Sequence, residues 1–434
     1  MQLTTKTYNP LLWVPTGYFT MALMLNLLTA ASVIMFSNLG MDNAQATAYA
    51  GMLGIAYSLK PGFASFLEMY RTKKFFVLSC QVLIGLGLFG VAAILQMPNY
   101  LLALLVLFWV LSFLGSAQDI TTDGVYITSL NPKRQAIFTG VQGLAWNMGR
   151  LVVLSVFIGL AGWLHQSVFN HDPKVNGDDW RISWQIVFIV AGVWYLLIAA
   201  WHYKVMPDGA KAENPPTNFG EAIVTLKDTF VTFFQKKDVW LMIGFAFLFR
   251  ISYGFLSSPS MLFMKDSLEA GGLALSNQEM GFLYGTVGTG AQIVGALLGG
   301  FIVANWGLKN VLFKLCIAFN VPNITFLFLA IYQPSSFWLI GLGIGLEQFF
   351  FGLGATGFMI YLMQQLSPGK YRMAHYAFGT ALMQMCMNLT GMVSGTIETS
   401  LGYTNYFIFV MIATIPSFLI AWYAPFHIKE SDAK

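Results

Sequence analysis

Residues 100–134 read YLLALLVLFWVLSFLGSAQDITTDGVYITSLNPKR. From Tyr100 to Ala117 no side chain is charged; Asp119 and Asp123 follow, and Lys133-Arg134 close the stretch. A spanning helix needs about 20 mostly apolar residues, and this run supplies them. A carboxylate inside such a helix is costly unless it faces a protein interior or a water path. The stretch therefore predicts a membrane-crossing helix with a polar inner face and a basic loop at one end.

The rest of the chain repeats that pattern. Of 434 residues, 56% are hydrophobic and only 10% charged, against about 25% charged in soluble domains. Apolar stretches long enough to cross recur at 11–36, 46–68, 75–96, 100–129, 136–164, 184–205, 238–264, 279–304, 308–332, 335–366, 372–399 and 403–424. The expected fold is an all-α membrane protein of twelve transmembrane helices in two six-helix bundles. The long hydrophilic gap at 206–237 holds Pro207, Asp208, Gly209, Lys211, Glu213 and Pro215-Pro216, then an amphipathic stretch 219–235. It divides the chain into bundles 1–205 and 238–434 joined by a linker. Lys6 precedes an apolar run without a small-residue cleavage site, so the first span is expected to remain as an anchor.

Basic residues orient the chain, because they collect on the cytoplasmic side. With the N-terminus inside, Lys6, Arg71, Lys73, Lys74, Lys133, Arg134, Lys204, Lys211, Lys227, Lys236, Lys237, Lys309, Lys314, Lys370, Arg372, Lys429 and Lys434 are all cytoplasmic. Lys174, Arg181 and Lys265 fall on the other side. Both termini are thus expected in the cytoplasm of a cell whose inner membrane the protein crosses. The halves also echo each other: the fourth stretch ends Ser129-Leu130-Asn131-Pro132-Lys133, the tenth Gln365-Leu366-Ser367-Pro368-Gly369-Lys370. This suggests two parallel repeats, as in secondary transporters. Gly281, Gly285, Gly288, Gly295 and Gly299 recur at helical intervals and predict a close-packing face.

Three basic residues, Lys60, Arg150 and Arg250, and three acids, Asp119, Asp123 and Glu347, stand out within the spans. Asp119 and Asp123 are four apart, hence on one helix face. Two close carboxylates in a low-dielectric site do not both ionise easily, so the pair suits a proton carrier; a static salt bridge to Arg150 or Lys60 is the competing reading. Glu347 is a coupling acid or a partner for a cation across the bundle. Arg250 offers a planar fork for carboxylate or phosphate, or neutralises an acid of the other half. Lys60 serves a gate or snorkels toward the cytoplasm. Gln118, Gln142, Asn147, Gln348, Gln384 and Asn388 lie on the same spans, as solute contacts or interhelical hydrogen-bond glue.

Several classes find no support. There is no G-x-x-x-x-G-K-[ST], nucleophile elbow or His-Glu-x-x-His, so the chain reads as no ATP-driven pump and no enzyme. No cofactor and no nucleic-acid partner is implied. His165, His171, Asp172, Asp178 and Asp179 match no metal-ligand spacing. Cys80, Cys316 and Cys386 are scattered through apolar runs and read as core residues.

Ser116-Ala117-Gln118-Asp119-Ile120, Asp123 and Leu130-Asn131-Pro132-Lys133-Arg134 resemble the fourth span and following loop of AmpG-type muropeptide permeases of the major facilitator superfamily. Lys60 with Glu68 resembles that family's span-2 lysine and loop acid, Phe249-Arg250 its span-7 Tyr-Lys, and Glu347 with Gly352-Leu353-Gly354-Ala355 its span-10 glutamate and glycine run. The chain departs at Arg150, one turn late behind Trp146, at Arg250, where lysine is usual, and at Tyr253, where aspartate is usual. The resemblance implies a proton-coupled solute importer, with protons and a small solute, muropeptide among the options, as partners. It implies coupling or gating roles for Asp119, Asp123, Glu347, Lys60 and Glu68. A siderophore, acetyl-CoA-like or drug carrier, a nontransporting sensor and a lipid-modifying membrane enzyme remain alternatives.

Overall fold

The computed structural model describes residues 8–69, 72–130, 132–209, 219–369 and 371–427. Lys6, Arg71, Lys211, Glu213, Lys370, Lys429 and Lys434 lie outside these residues, as do the side chains of Glu68, Lys133 and Arg372. Among the described residues the structure is all-helical, as lipid requires of a chain that must satisfy its backbone within each segment.

The first bundle comprises α1 (Pro10–Asn38), α2 (Asn43–Ser58, resumed as Lys60–Met69), α3 (Lys73–Ile94), α4 (Tyr100–Ser129), α5 (Pro132–Leu151, continuing to Val168) and α6 (Trp180–Val205). A short helix α7 (Phe219–Phe234) leads to the second bundle. That bundle is α8 (Val239–Lys265), α9 (Asn277–Trp306), α10 (Leu308–Tyr332), α11 (Phe337–Leu366), α12 (Arg372–Leu401) and α13 (Tyr403–Trp422). Among the described residues, ten of these helices are long and apolar enough to cross a membrane. Apart from the short α7, the other two, α2 and α12, are more polar because they pack on each other between the bundles. A Cβ at Gly54 would lie 2.1 Å from Asn388 Oδ1, and one at Gly395 2.2 Å from the Asn43 carbonyl oxygen. A face turned to protein can carry amide and hydroxyl groups that a lipid face cannot.

Local chemistry sets the helix ends. The Asp42 side chain accepts from Gln45 N at 2.7 Å and starts α2; Ser276 and Glu279 form a reciprocal capping box at α9. Gly307 (φ 75°) and Gly402 (φ 71°) follow α9 and α12 in a backbone region that L side chains rarely enter.

The glycine stripe of α9 serves two interfaces instead of one. Gly281 and Gly285 lie against the Leu154–Ser155 backbone of α5, whereas Gly295 and Gly299 lie against the α11 carbonyls of Phe349 and Leu353. Both contact segments of the α5–α9 crossing, Val152–Phe157 and Gly281–Gly288, are wound as π-helix.

We name the face carrying Tyr8, the end of α6, α7 and the end of α13 the terminal face. The hydrogen bonds described between the bundles lie from mid-membrane outward to the other, distal face. Asn388 Nδ2 donates to Ser58 Oγ (3.1 Å), Gly395 N to Thr47 Oγ1 (3.2 Å), Gln278 Nε2 to Gln166 Oε1 (3.2 Å), and the Ser155 and Thr286 hydroxyls are 2.8 Å apart. The distal side is sealed by side chain and backbone together.

Candidate functional site

Asp119 and Asp123 share a face of α4 but not a partner. Lys60, at the point where α2 resumes before Pro61, forms an ion pair with Asp119. Its ammonium also sits 5.0 Å from the centre of the Tyr57 ring. Asp123 instead accepts from Tyr18 Oη of α1 at 2.6 Å. Gln142 of α5 reaches the same phenol, and Tyr376 of α12 lies within electrostatic reach of Asp123 from the second bundle. Of the two static partners the sequence leaves open for these acids, the structure selects Lys60. The Lys60 ammonium is turned to a buried carboxylate.

Ser116 Oγ donates to the Ala56 carbonyl at 3.1 Å, which brings α4 onto α2 and sets the height of the Lys60–Asp119 pair. Gln118 beside it is buried, and neither amide atom has a protein partner. A buried amide left this way is expensive unless another molecule satisfies it.

Arg150 does not reach the α4 acids. Its Nη2 donates to Gln348 Oε1 of α11 at 3.2 Å, and the guanidinium lies 6.0 Å from the Tyr284 ring centre on α9. Gln348 Nε2 donates to Glu347 Oε2 at 2.7 Å and faces Tyr284 Oη at 3.4 Å. Glu347 is 1% exposed and its Oε1 has no partner. Gln348 is thus the link between the cation of one bundle and the buried acid of the other.

Arg250 occupies the break in α8, between Leu248 and Ile251, with φ −105° and ψ 12°. Its guanidinium lies 5.2 Å from the Phe351 ring centre, 5.6 Å from Tyr253 and 6.0 Å from Phe319. Nη1 meets Met383 Sδ at 2.9 Å, and Nε has no partner. Among the described residues no carboxylate is paired with it. Arg150 is close enough to be felt as a like charge, and Tyr253 and Tyr284 stand together between them. Two guanidinium groups, aromatic faces and unspent donors converge: a surface suited to an anion with apolar parts.

The remaining candidates divide. Gln384 Nε2 donates to Asn388 Oδ1 at 2.8 Å, and Asn388 binds Ser58, so these two amides close the α2–α12 seam. Asn147 Nδ2 donates to the Gly143 carbonyl of its own helix at 2.8 Å. Glu68 has its side chain outside the described residues. Tyr18 and Tyr284 were not singled out as site residues by sequence, and Tyr253 only as a departure from the family pattern, because tyrosine in an apolar chain resembles the interfacial belt. A tyrosine two or three turns from the helix end was the available signal.

Comparison with known proteins agrees with this geometry. The family model described as Major Facilitator Superfamily matches residues 16–395. A "Putative transporter AmpG 4" of Rickettsia felis is 24% identical over 408 residues, covering 90% of this chain and 92% of the relative. The "Anhydromuropeptide permease" of Escherichia coli K12 is 24% identical over 379 residues, covering 85% and 70%. Among solved structures, a D-xylose-proton symporter superposes with TM-score 0.73 at 11% identity over 97% of this chain and 98% of the other. The nucleoside transporter NupG gives 0.69 at 16% identity over 95% and 97%. A membrane-spanning double bundle, charges gathered between its halves and a match over nearly the whole chain lead to one assignment: the protein belongs to the Major Facilitator Superfamily and is a transporter with AmpG-named relatives.

Proposed function

We propose that the protein imports an anionic solute across the inner membrane in symport with protons. The observation that carries this reading is Arg250: a guanidinium enclosed by three rings, without a carboxylate partner among the described residues. A charge kept there at such desolvation cost needs an anion to arrive. Arg150, Gln348 and Gln118 supply further donors along the path, with Gln142, Asn147, Gln384 and Asn388 bordering it. The solute named for the Escherichia coli relative, an anhydromuropeptide, carries carboxylates and is the first candidate.

Terminal and distal faces are read as cytoplasmic and periplasmic, since basic residues such as Lys204, Lys236, Lys237 and Lys309 collect on the terminal side. Units 1–205 and 238–434 rock about the 206–237 linker, and the conformation described is closed to the periplasm. Proton transfer to Asp119 breaks its ion pair with Lys60; Asp123 and Glu347 hold the alternative positions, with Glu68 at the loop end. A ligand biases the rocking only through different affinities for the two orientations.

Uptake of radiolabelled anhydromuropeptide into proteoliposomes, with and without an inward proton gradient, tests the reading. Accumulation above equilibrium only with the gradient is expected. Equal uptake with and without it would remove proton coupling. No uptake of any anionic muropeptide would remove the substrate class.

A further inference from the structure

At the distal face a single amide from the first bundle meets two carboxylates of the second. Asn43 Nδ2 lies 2.9 Å from Asp266 Oδ2, 3.0 Å from Glu398 Oε2 and 3.1 Å from Tyr403 Oη. Tyr403 in turn donates to Asp266 Oδ2 at 2.7 Å. The adjacent Lys265 turns away to the first bundle, where Nζ donates to Ser37 Oγ and Asn176 Oδ1, each at 2.9 Å. Asp266 and Glu398 thus share one donor from across the seam, and Glu398 is only 5% exposed.

That donor reaches them only while α2 and α12 are in backbone contact. Gly395, one turn from Glu398, lies against the Asn43 carbonyl and donates its N–H to Thr47 Oγ1 at 3.2 Å. Any side chain at 395 would hold the helices apart. When the seam parts, Asp266 and Glu398 lose Asn43 together.

We propose that Asn43 is the latch of the distal gate: its amide holds Asp266 and Glu398 of the other bundle, and its withdrawal is the polar step of opening to the outside. The proposal rests on the reading that the two bundles rock. It adds a residue that sets the balance between orientations while touching neither the solute path nor the Lys60–Asp119 pair.

The residue type makes the idea testable. Asn43→Asp keeps the shape and exchanges the donor for a third carboxylate; like charges brought together across an interface disfavour the closed seam. Asn43→Leu removes the donor without adding charge. Asn43→Asp with Asp266→Asn exchanges donor and acceptor and restores one complementary pair. A Thr47→Cys reporter, buried in the closed seam, is labelled with a membrane-impermeant maleimide from the outer side in each background. The three native cysteines are buried and give the blank.

Labelling of folded Asn43→Asp at neutral pH is expected to be at least about tenfold faster than in the parent. The groups facing residue 43 are Asp266, Glu398 and Tyr403, with the Lys265 ammonium beside Asp266. Only the carboxylates titrate between about pH 7 and pH 4. Protonation removes their repulsion, so the excess labelling of Asn43→Asp should fall as pH is lowered. Asn43→Leu should rise less and without that pH dependence, and the exchange variant should return near the parent. Parent-like labelling of Asn43→Asp, or equal and pH-independent labelling of the aspartate and leucine variants, would overturn the latch. If Asn43→Asp does not reach the membrane, the exchange variant decides: labelling as fast as in Asn43→Leu overturns the proposal. Failure of gradient-driven uptake with intact labelling differences would instead strike the symport reading and leave the latch standing.

Discussion

Arg150 Nη2 and Gln348 Oε1 meet at 3.2 Å across the two bundles, 198 residues apart in sequence. The bond is charge-assisted on one side only, which holds the bundles without a full ion pair. Exchanging Gln348 for glutamate would place a carboxylate on Arg150, and such bonds are roughly twice as strong as neutral ones. Gln348→Glu should therefore slow turnover, on the order of tenfold in maximal rate, with a smaller change in half-saturating solute. Initial uptake rates against solute concentration check this; an unchanged maximal rate would show that the contact need not break during transport.

The Lys60–Asp119 pair separates folding from coupling. Removing one partner of a buried pair leaves a bare charge and costs about 3–5 kcal/mol, whereas replacing both is often tolerated. Lys60→Met and Asp119→Leu should each lower the thermal stability of purified protein, and the double variant should recover most of it. Gradient-driven accumulation should remain lost in the double variant. Its persistence in folded protein would make the pair structural and leave Glu347 as the next coupling candidate.

Arg250→Met should abolish saturable uptake of an anionic solute. Arg250→Lys keeps the charge but loses the planar fork and its ring stacking, so it should raise half-saturation by roughly tenfold, the effect of about 1.4 kcal/mol. Equilibrium binding of labelled solute to detergent-purified protein distinguishes this from a slower gate: a gate defect leaves binding intact.

Glycine on α9 offers a stability test with an internal control. A Cβ at Gly295 would lie 1.8 Å from the Phe349 carbonyl oxygen, while one at Gly290 meets nothing within 4 Å. Gly295→Ala should cost about 1–3 kcal/mol by overpacking, seen as a lowered thermal midpoint in detergent. Gly290→Ala should be neutral or better, since alanine is the stronger helix former.

The sequence by itself determined the class, most of the spans and the charges that stand out within them. Hydrocarbon leaves few options to a chain that is 56% hydrophobic, and each charged residue inside an apolar run stands out against it. The repeat of the fourth and tenth stretches and the break at 206–237 carried the two-bundle reading for the same reason: both are local patterns. Pairing is not local. That Asp119 takes Lys60, 59 residues away, that Arg150 takes Gln348, and that Arg250 takes no acid among the described residues depended on how α2, α4, α5, α8 and α11 turn their faces. A helix period gives the face but not the neighbour it meets. The distal cluster was hidden more deeply, because Asn43, Asp266 and Glu398 sit at helix ends, where polar residues are ordinary. Only the approach of α2 to α12, permitted by Gly395, turned three unremarkable positions into one shared hydrogen-bond site.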